Sequence, residues 1–198
     1  MKRIQDNINS KKYWNSIYSS REDRHEHADK HKLMDMVYSI EEGKSVLDVG
    51  CGTGHLLREI KRHRPTCELT GVDYSDVVIN RLKQTTPNIE WLTEMPKGKY
   101  DYVVTMETLE HIEDPENFLK TLADVTKWRL IITTPYKNRV PSCEHTWSFD
   151  GDDIKKILEE WFKKVWVMPV GSGGAVSGNG KILQHEGNWD ILYIKAER

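Results

Sequence analysis

The sequence predicts an α/β fold, a mostly parallel sheet with helices on both faces. Three observations carry that expectation. Short strand-sized apolar runs alternate with longer stretches of helical period, the pattern of strands joined by crossover helices. A glycine-dense turn, GCGTG at 50–54, joins the first such strand to the first such helix. The length, 198 residues, suits one domain built on one core.

Taken in order, Trp14, Ile17 and Tyr18 mark one amphipathic helix, and Leu33, Met36, Val37 and Ile40 another. The stretch between them, SSREDRHEHADKHK, is so charged that His25, His27 and His31 read as solvated. Strands follow at Ser45–Gly50, Glu68–Asp73, Ile89–Leu92, Tyr100–Met106, Arg129–Thr134, Lys163–Val170 and Trp189–Ala196. Helices lie between them near 54–64, 75–84, 115–126 and 152–161. In the last, Ile154, Ile157, Leu158 and Trp161 fall on one stripe, with Asp150 as the expected N-cap. Asp114-Pro115 reads as a cap followed by proline at the first helical position. The final two strands have no helical pattern between them. Their connection, GSGGAVSGNGKILQHEGN, is glycine-rich and predicts a long hairpin loop with an antiparallel last strand. Trp161, Phe162 and Trp166 read as core.

Charge and composition narrow the partners. Lys+Arg is 29 against Asp+Glu 31, a formal charge of -2, so the whole-chain field offers nucleic acid no attraction. No apolar run approaches the length of a membrane span, and MKRIQDNINSKKYW lacks the apolar stretch of a secretory signal. The cysteines, Cys51, Cys67 and Cys143, are odd in number and form no C-x-x-C pair. Cys67 reads as core filling, and the expected compartment is a reducing cytoplasm. Oligomeric state is not legible.

The glycine turn sits where open α/β sheets bind ligands, beyond the carboxyl ends of the strands. Asp73, ending the second strand, stands where an acid accepts hydrogen bonds from ribose hydroxyls. A nucleoside-bearing ligand follows. The spacing is G-x-G-x-G rather than the dinucleotide G-x-G-x-x-G, and Asp48 stands just before the loop. That carboxylate repels a pyrophosphate. It favours S-adenosylmethionine, which has no phosphate and carries an ammonium and a sulfonium.

VLDVGCGTG, GVDYS, YDYVVTMETLEHIEDP and IITTP closely resemble the ordered motifs of class I S-adenosylmethionine-dependent methyltransferases, over roughly Lys44 to Phe149. The resemblance implies a Rossmann-like seven-stranded sheet of order 3-2-1-4-5-7-6 with strand seven antiparallel. It implies a methyltransferase domain over 44–198, preceded by a helical extension or lid over 1–43, one domain overall. It puts Asp48, Gly50, Cys51, Gly52 and Gly54 around the methionine moiety, Asp73 on the ribose and Tyr74 beside the adenine. Thr93 and Met106 complete the implied cofactor set. The chain departs from many relatives in WLTEMPKGKYD, which lacks the aspartate that meets the adenine amine, and Thr93 or a backbone group is left to that role.

METLEHIEDP follows the fourth strand. If Glu107 to His111 form one helical turn, Glu107, Glu110 and His111 share a face at the cleft mouth. Methyl transfer is an in-line displacement, and a histidine oriented by a carboxylate suits removal of the acceptor's proton. The loop TTPYKNRVPSCEHTWSF adds His145, with Tyr136, Trp147 and Phe149 as candidate walls. Catalytic roles therefore fall to His111, Glu110 and His145. The set Glu107, Glu110, His111 and His145 is also a candidate for Mg²⁺ or Mn²⁺. It is similar to that of the metal-dependent methyltransferases of small-RNA 3′ ends, and to the E-x-x-E-H of ubiquinone-pathway O-methyltransferases. E-H-I-E-D-P segments also occur in members without metal, where they shape a turn. Glu113 and Asp114 read as capping and solvated. Tyr13, Trp14 and Tyr18 read equally as a lid over the cofactor or as packing on the sheet.

The reading is a methyltransferase acting on a small molecule, at oxygen. Nucleic acid and membrane are not expected partners. The rivals are a metal-dependent RNA ribose 2′-O-methyltransferase and a non-catalytic S-adenosylmethionine-binding protein.

Overall fold

The computed structural model describes residues 1–20, 30–139, 141–171 and 189–198. The expectations for His25, His27 and the 172–188 connection lie outside these residues, as does that for the side chain of His31. Seven strands form one sheet: β1 (Ser45–Val49), β2 (Glu68–Val72), β3 (Glu90–Leu92), β4 (Tyr100–Met106), β5 (Thr126–Pro135), β6 (Lys164–Gly171) and β7 (Trp189–Glu197). Their order is β3-β2-β1-β4-β5-β7-β6, with β7 antiparallel to both neighbours, as expected. The helices are α1 (Lys11–Ser20), α2 (Lys30–Tyr38), α3 (His55–His63), α4 (Asp76–Thr85), α5 (Pro115–Val125) and α6 (Asp152–Leu158).

The central strands are buried on both faces because helices cover both. One apolar layer joins Trp14 and Tyr18 of α1, Met36 and Val37 of α2, Leu57 and Ile60 of α3 and Ile79 of α4 to Val46, Val104 and Ile131 of the sheet. The other packs Leu119 and Leu122 of α5 and Ile154 and Leu158 of α6 on Leu47, Val103 and Ile132. The chain steps outward from β1 to β3, then crosses back to β4 on the other side of β1. The reversal opens a crevice at the carboxyl ends of β1 and β4. There the strands part, and Thr105 Oγ1 donates to the carbonyl oxygen of Val49 at 2.7 Å.

Local chemistry sets the helix ends. The Asp114 carboxylate accepts from the Asn117 amide at 3.1 Å, with Pro115 opening α5. The expected Asp150 cap on α6 is not made. Gly151 occupies that position at φ 99, because a Cβ there would lie 2.7 Å from Val167 Cγ1. α6 ends at Leu158, short of the expected 161. Cys67 is buried, and all three cysteines are free thiols. Trp166 is not core. It stands 40% exposed on the edge strand β6, beneath the Lys195 ammonium. Phe162 is buried as expected. The sequence pattern did not show the two-residue ladder of Lys2–Arg3 with Trp147–Ser148, which brings the N-terminal segment across the crevice.

The Trp91 indole is a keystone of the first layer. It donates Nε1–H to the Thr86 carbonyl at 2.9 Å and lies against Gly71, where a Cβ would come within 2.5 Å of the ring. Gly71→Ala is expected to cost about 1–3 kcal/mol through overpacking. Urea unfolding measures it, and an unchanged midpoint would show that the indole yields without penalty.

Candidate active site

The turn after β1 takes left-handed backbone at each glycine, with φ of 76, 49 and 75 at Gly50, Gly52 and Gly54. Each one also admits a protein neighbour. A Cβ on Gly50 would lie 2.4 Å from Thr108 Oγ1, one on Gly52 3.1 Å from the Tyr18 hydroxyl, and one on Gly54 2.6 Å from the Trp91 ring. Gly54 therefore serves packing. It is absent from the cavity wall, whereas Asp48, Gly50, Cys51, Gly52, Asp73, Tyr74, Thr93 and Met106 all line it.

Four of the five amides of the 50–54 turn are engaged within the protein. Gly50 and Cys51 N–H both donate to the Val72 carbonyl, at 2.8 and 3.0 Å, and Gly54 N–H donates to the Cys51 carbonyl at 2.8 Å. Gly52 N–H donates to Asp73 Oδ2 at 3.1 Å, and Ser75 N–H to Asp73 Oδ1 at 2.9 Å. These donors are not arrayed toward an anion, unlike those of a phosphate nest. The titratable groups nearby are acidic. Burial pushes the Asp48 carboxyl up to about 8, and the Asp73 carboxylate adds to the shift. Burial also raises Asp73, against the two amides that favour its ionised form. Burial and these carboxylates raise the Cys51 thiol.

One cavity of about 610 Å³ runs from this turn to the far wall, where Glu107, Glu110, His111 and His145 line it. The helical turn there is a 3-10 turn over Leu109–His111 only. Glu107 precedes it at φ 50, so it does not share the expected face. Among the described residues the candidate metal donors that converge are Glu110, His111 and His145, with ligand atoms within 4.8 Å of one another; Glu107 is not among them. Glu110 is buried and accepts from Thr134 Oγ1 at 3.0 Å, and its Oε1 lies 3.7 Å from His111 Nε2.

Each imidazole has one nitrogen tied. His111 Nδ1 meets the Glu144 carbonyl oxygen at 2.9 Å, and His145 Nδ1 meets Asn138 Oδ1 at 2.8 Å. A carbonyl oxygen only accepts, so both rings carry their hydrogen on Nδ1 and keep Nε2 as a lone pair. Burial holds both neutral. It lowers His111 below the usual imidazole range, and it lowers His145 to about 4 with the help of the neighbouring His111. The rings stand 5.2 Å apart, edge to face, and Trp14 closes the other side of His111 at 5.4 Å.

Sequence reasoning missed Asn9 and Glu144, which line the cavity and tie its closing segments together. Asn9 Nδ2 donates to the Glu144 carbonyl at 2.7 Å, Tyr13 donates to Glu144 Oε1 at 2.8 Å, and Tyr74 donates to the Asn9 carbonyl at 2.7 Å. Tyr18 and Trp14 line the cavity and also belong to the core, so α1 packs on the sheet and walls the cavity at once. Tyr136, Trp147 and Phe149 are not walls. Phe149 is buried in the second apolar layer, and the other two pack against it. Glu113 lines the rim and pairs with Arg3 at 2.7 Å.

A family model described as a methyltransferase domain matches residues 20–166. The chain belongs to the methyltransferase-domain family. Over 95 residues it is 36% identical to a ubiquinone biosynthesis O-methyltransferase of Coxiella burnetii, covering 43% of this chain and 40% of that protein. Over 103 residues it is 30% identical to the (S)-tetrahydroprotoberberine N-methyltransferase of Eschscholzia californica, covering 47% of this chain and 29% of that one. The match thus spans about two fifths or less of these relatives' length. In fold it is similar to the magnesium protoporphyrin IX methyltransferase of Synechocystis PCC 6803 with bound SAH, at TM-score 0.71 and 19% identity over 95% of this chain and 97% of that chain.

Proposed function

We propose that the protein is an S-adenosylmethionine-dependent methyltransferase acting on the hydroxyl of a compact acceptor. The observation that carries this reading is one cavity with two unlike ends. The glycine turn end has buried carboxylates and engaged amides, which suit a cationic nucleoside and not a phosphate. The far end has a neutral His111 held with Nε2 unprotonated. Asp48 would face the ligand's cationic groups, and Asp73 would take the ribose hydroxyls with the lone pairs left beside its two amide bonds. The acceptor hydroxyl passes its proton to His111 Nε2. Bound S-adenosylmethionine would supply the methyl carbon to that oxygen's lone pair, its sulfur keeping the electron pair of the broken carbon–sulfur bond. We read residues 1–43 as the extension that closes this cavity and 44–198 as the methyl-transfer unit.

A compact acceptor is favoured over RNA by the cavity wall. Among the described residues that line it there is no lysine or arginine, the side chains that a phosphate backbone requires. No described helix is long and apolar enough to cross a membrane.

The three-donor cluster supports a second reading, a divalent cation such as Mn²⁺ or Mg²⁺ held by Glu110, His111 and His145. Both imidazoles already donate Nδ1–H to an oxygen, the supporting contact that metal-bound histidines make. A bound cation would supply Lewis acidity that favours the deprotonated acceptor oxygen.

His111→Ala is expected to reduce turnover at least 100-fold while calorimetric affinity for S-adenosylmethionine stays within about threefold. Retained turnover would remove His111 from the mechanism. Binding by the unaltered protein without turnover across a broad acceptor screen would favour a cofactor sensor instead.

Asp48 makes binding pH-dependent. In the free protein its carboxyl is largely protonated below about 8. A cationic ligand favours the ionised form, so binding at pH 7 releases a proton. Affinity rises with pH toward 8, by up to about tenfold per unit, and then levels. Titration in two buffers of different ionisation enthalpy counts that proton, and a count of zero would separate Asp48 from the cation.

A further inference from the structure

Three non-glycine residues take the left-handed backbone among those described: Glu107 at φ 50, Lys137 at φ 51 and Asn138 at φ 52. Such a conformation is unfavourable for an ordinary L-residue, and strain of this kind gathers at functional sites. All three lie at the carboxyl ends of two neighbouring strands, Glu107 after β4 and the other two after β5. Lys137 N–H donates to the Phe149 carbonyl at 2.7 Å, and Arg139 N–H to the Tyr136 carbonyl at 3.0 Å. These bonds hold the turn in which Asn138 sits, half-buried.

The strained turn aims one side chain. Asn138 Oδ1 lies 2.8 Å from His145 Nδ1, seven residues on in the same loop. Position 138 makes two demands. The backbone must tolerate positive φ, which asparagine does better than most residues, and the side chain must offer an acceptor of short reach. Glycine meets only the first demand. Aspartate meets both. The same loop sets the other imidazole through the Glu144 carbonyl, so both rings receive the same hydrogen placement from one segment.

We propose that Asn138 is a positioning residue that selects the Nδ1–H form of His145, so that His145, like His111, turns an unprotonated Nε2 toward the cavity. Without that acceptor, a neutral imidazole is free to move its hydrogen to Nε2. The ring would then offer a donor where the site needs a lone pair. The requirement is the same whether Nε2 accepts a hydrogen bond from the acceptor molecule or binds a cation. The consequence for turnover rests on the methyl-transfer reading; the hydrogen placement does not.

The experiment has two arms, applied to the full-length protein and its Asn138→Ala, Asn138→Gly and Asn138→Asp variants. Long-range ¹H–¹⁵N correlation on histidine-labelled protein near neutral pH reads which nitrogen of His145 carries hydrogen. The unaltered protein and Asn138→Asp are expected to show Nδ1–H alone, and the Ala and Gly variants a mixture. In the second arm, kcat is expected to fall about 10- to 100-fold in the Ala and Gly variants with KM for S-adenosylmethionine unchanged. Asn138→Asp should restore it to within about threefold. Two results would overturn the proposal. One is Nδ1–H alone in Asn138→Ala. The other is rescue by glycine but not aspartate, which would assign Asn138 to backbone conformation only. Absence of turnover in the unaltered protein would count against the proposed function, while the spectroscopic arm would still decide the role of Asn138.

Discussion

The site depends on how the turn after β1 is tied to the end of β2. Gly50 and Cys51 give their amides to the Val72 carbonyl, and Gly52 gives its amide to the Asp73 carboxylate. A glycine turn opening onto a helix ordinarily reads as an anion cradle, because its N–H groups face the ligand. Here they face the neighbouring strand. What remains at the crevice is the negative side of the arrangement, two buried carboxylates at adjacent strand ends. The burial that makes them costly when the cavity is empty makes a cationic nucleoside their natural complement.

The far wall is assembled from distant segments by polar contacts. The 3-10 turn brings Glu110 and His111, and the loop after β5 brings His145 and the Glu144 carbonyl. The N-terminal segment crosses both, with Asn7 donating to the His111 carbonyl at 3.3 Å and Asn9 to that of Glu144. Lys11 pairs with Asp76 and Ser75 donates to Asn15, which fasten α1 to the start of α4. The extension is thereby bonded to both ends of the cavity. Its displacement would loosen the cofactor end and the far wall together.

The strands, their order and the Asp114 cap were legible because each leaves a local mark, an apolar run, a motif or a cap dipeptide. Most of the positions that line the glycine-turn end of the cavity were legible for the same reason. Gly54 lies outside the cavity wall, since in sequence a glycine that admits Trp91 looks like one that admits a ligand. The Lys2–Arg3 ladder is two exposed residues long and has no apolar period to betray it. Asn9, Thr134, Asn138 and Glu144 act through polar atoms that only the folded chain brings to their partners, and no spacing rule points to them. Phe149 and Trp166 exchanged their expected environments because an aromatic residue carries no statement of which neighbour will cover it.

Competitive calorimetry with S-adenosylmethionine and NAD tests the central claim most directly, since the two share adenine and ribose but differ in the charge next to them. The account predicts micromolar binding of S-adenosylmethionine, at least 100-fold tighter than NAD, with that preference reduced in Asp48→Asn. Tighter binding of NAD, or a preference indifferent to Asp48, would contradict it.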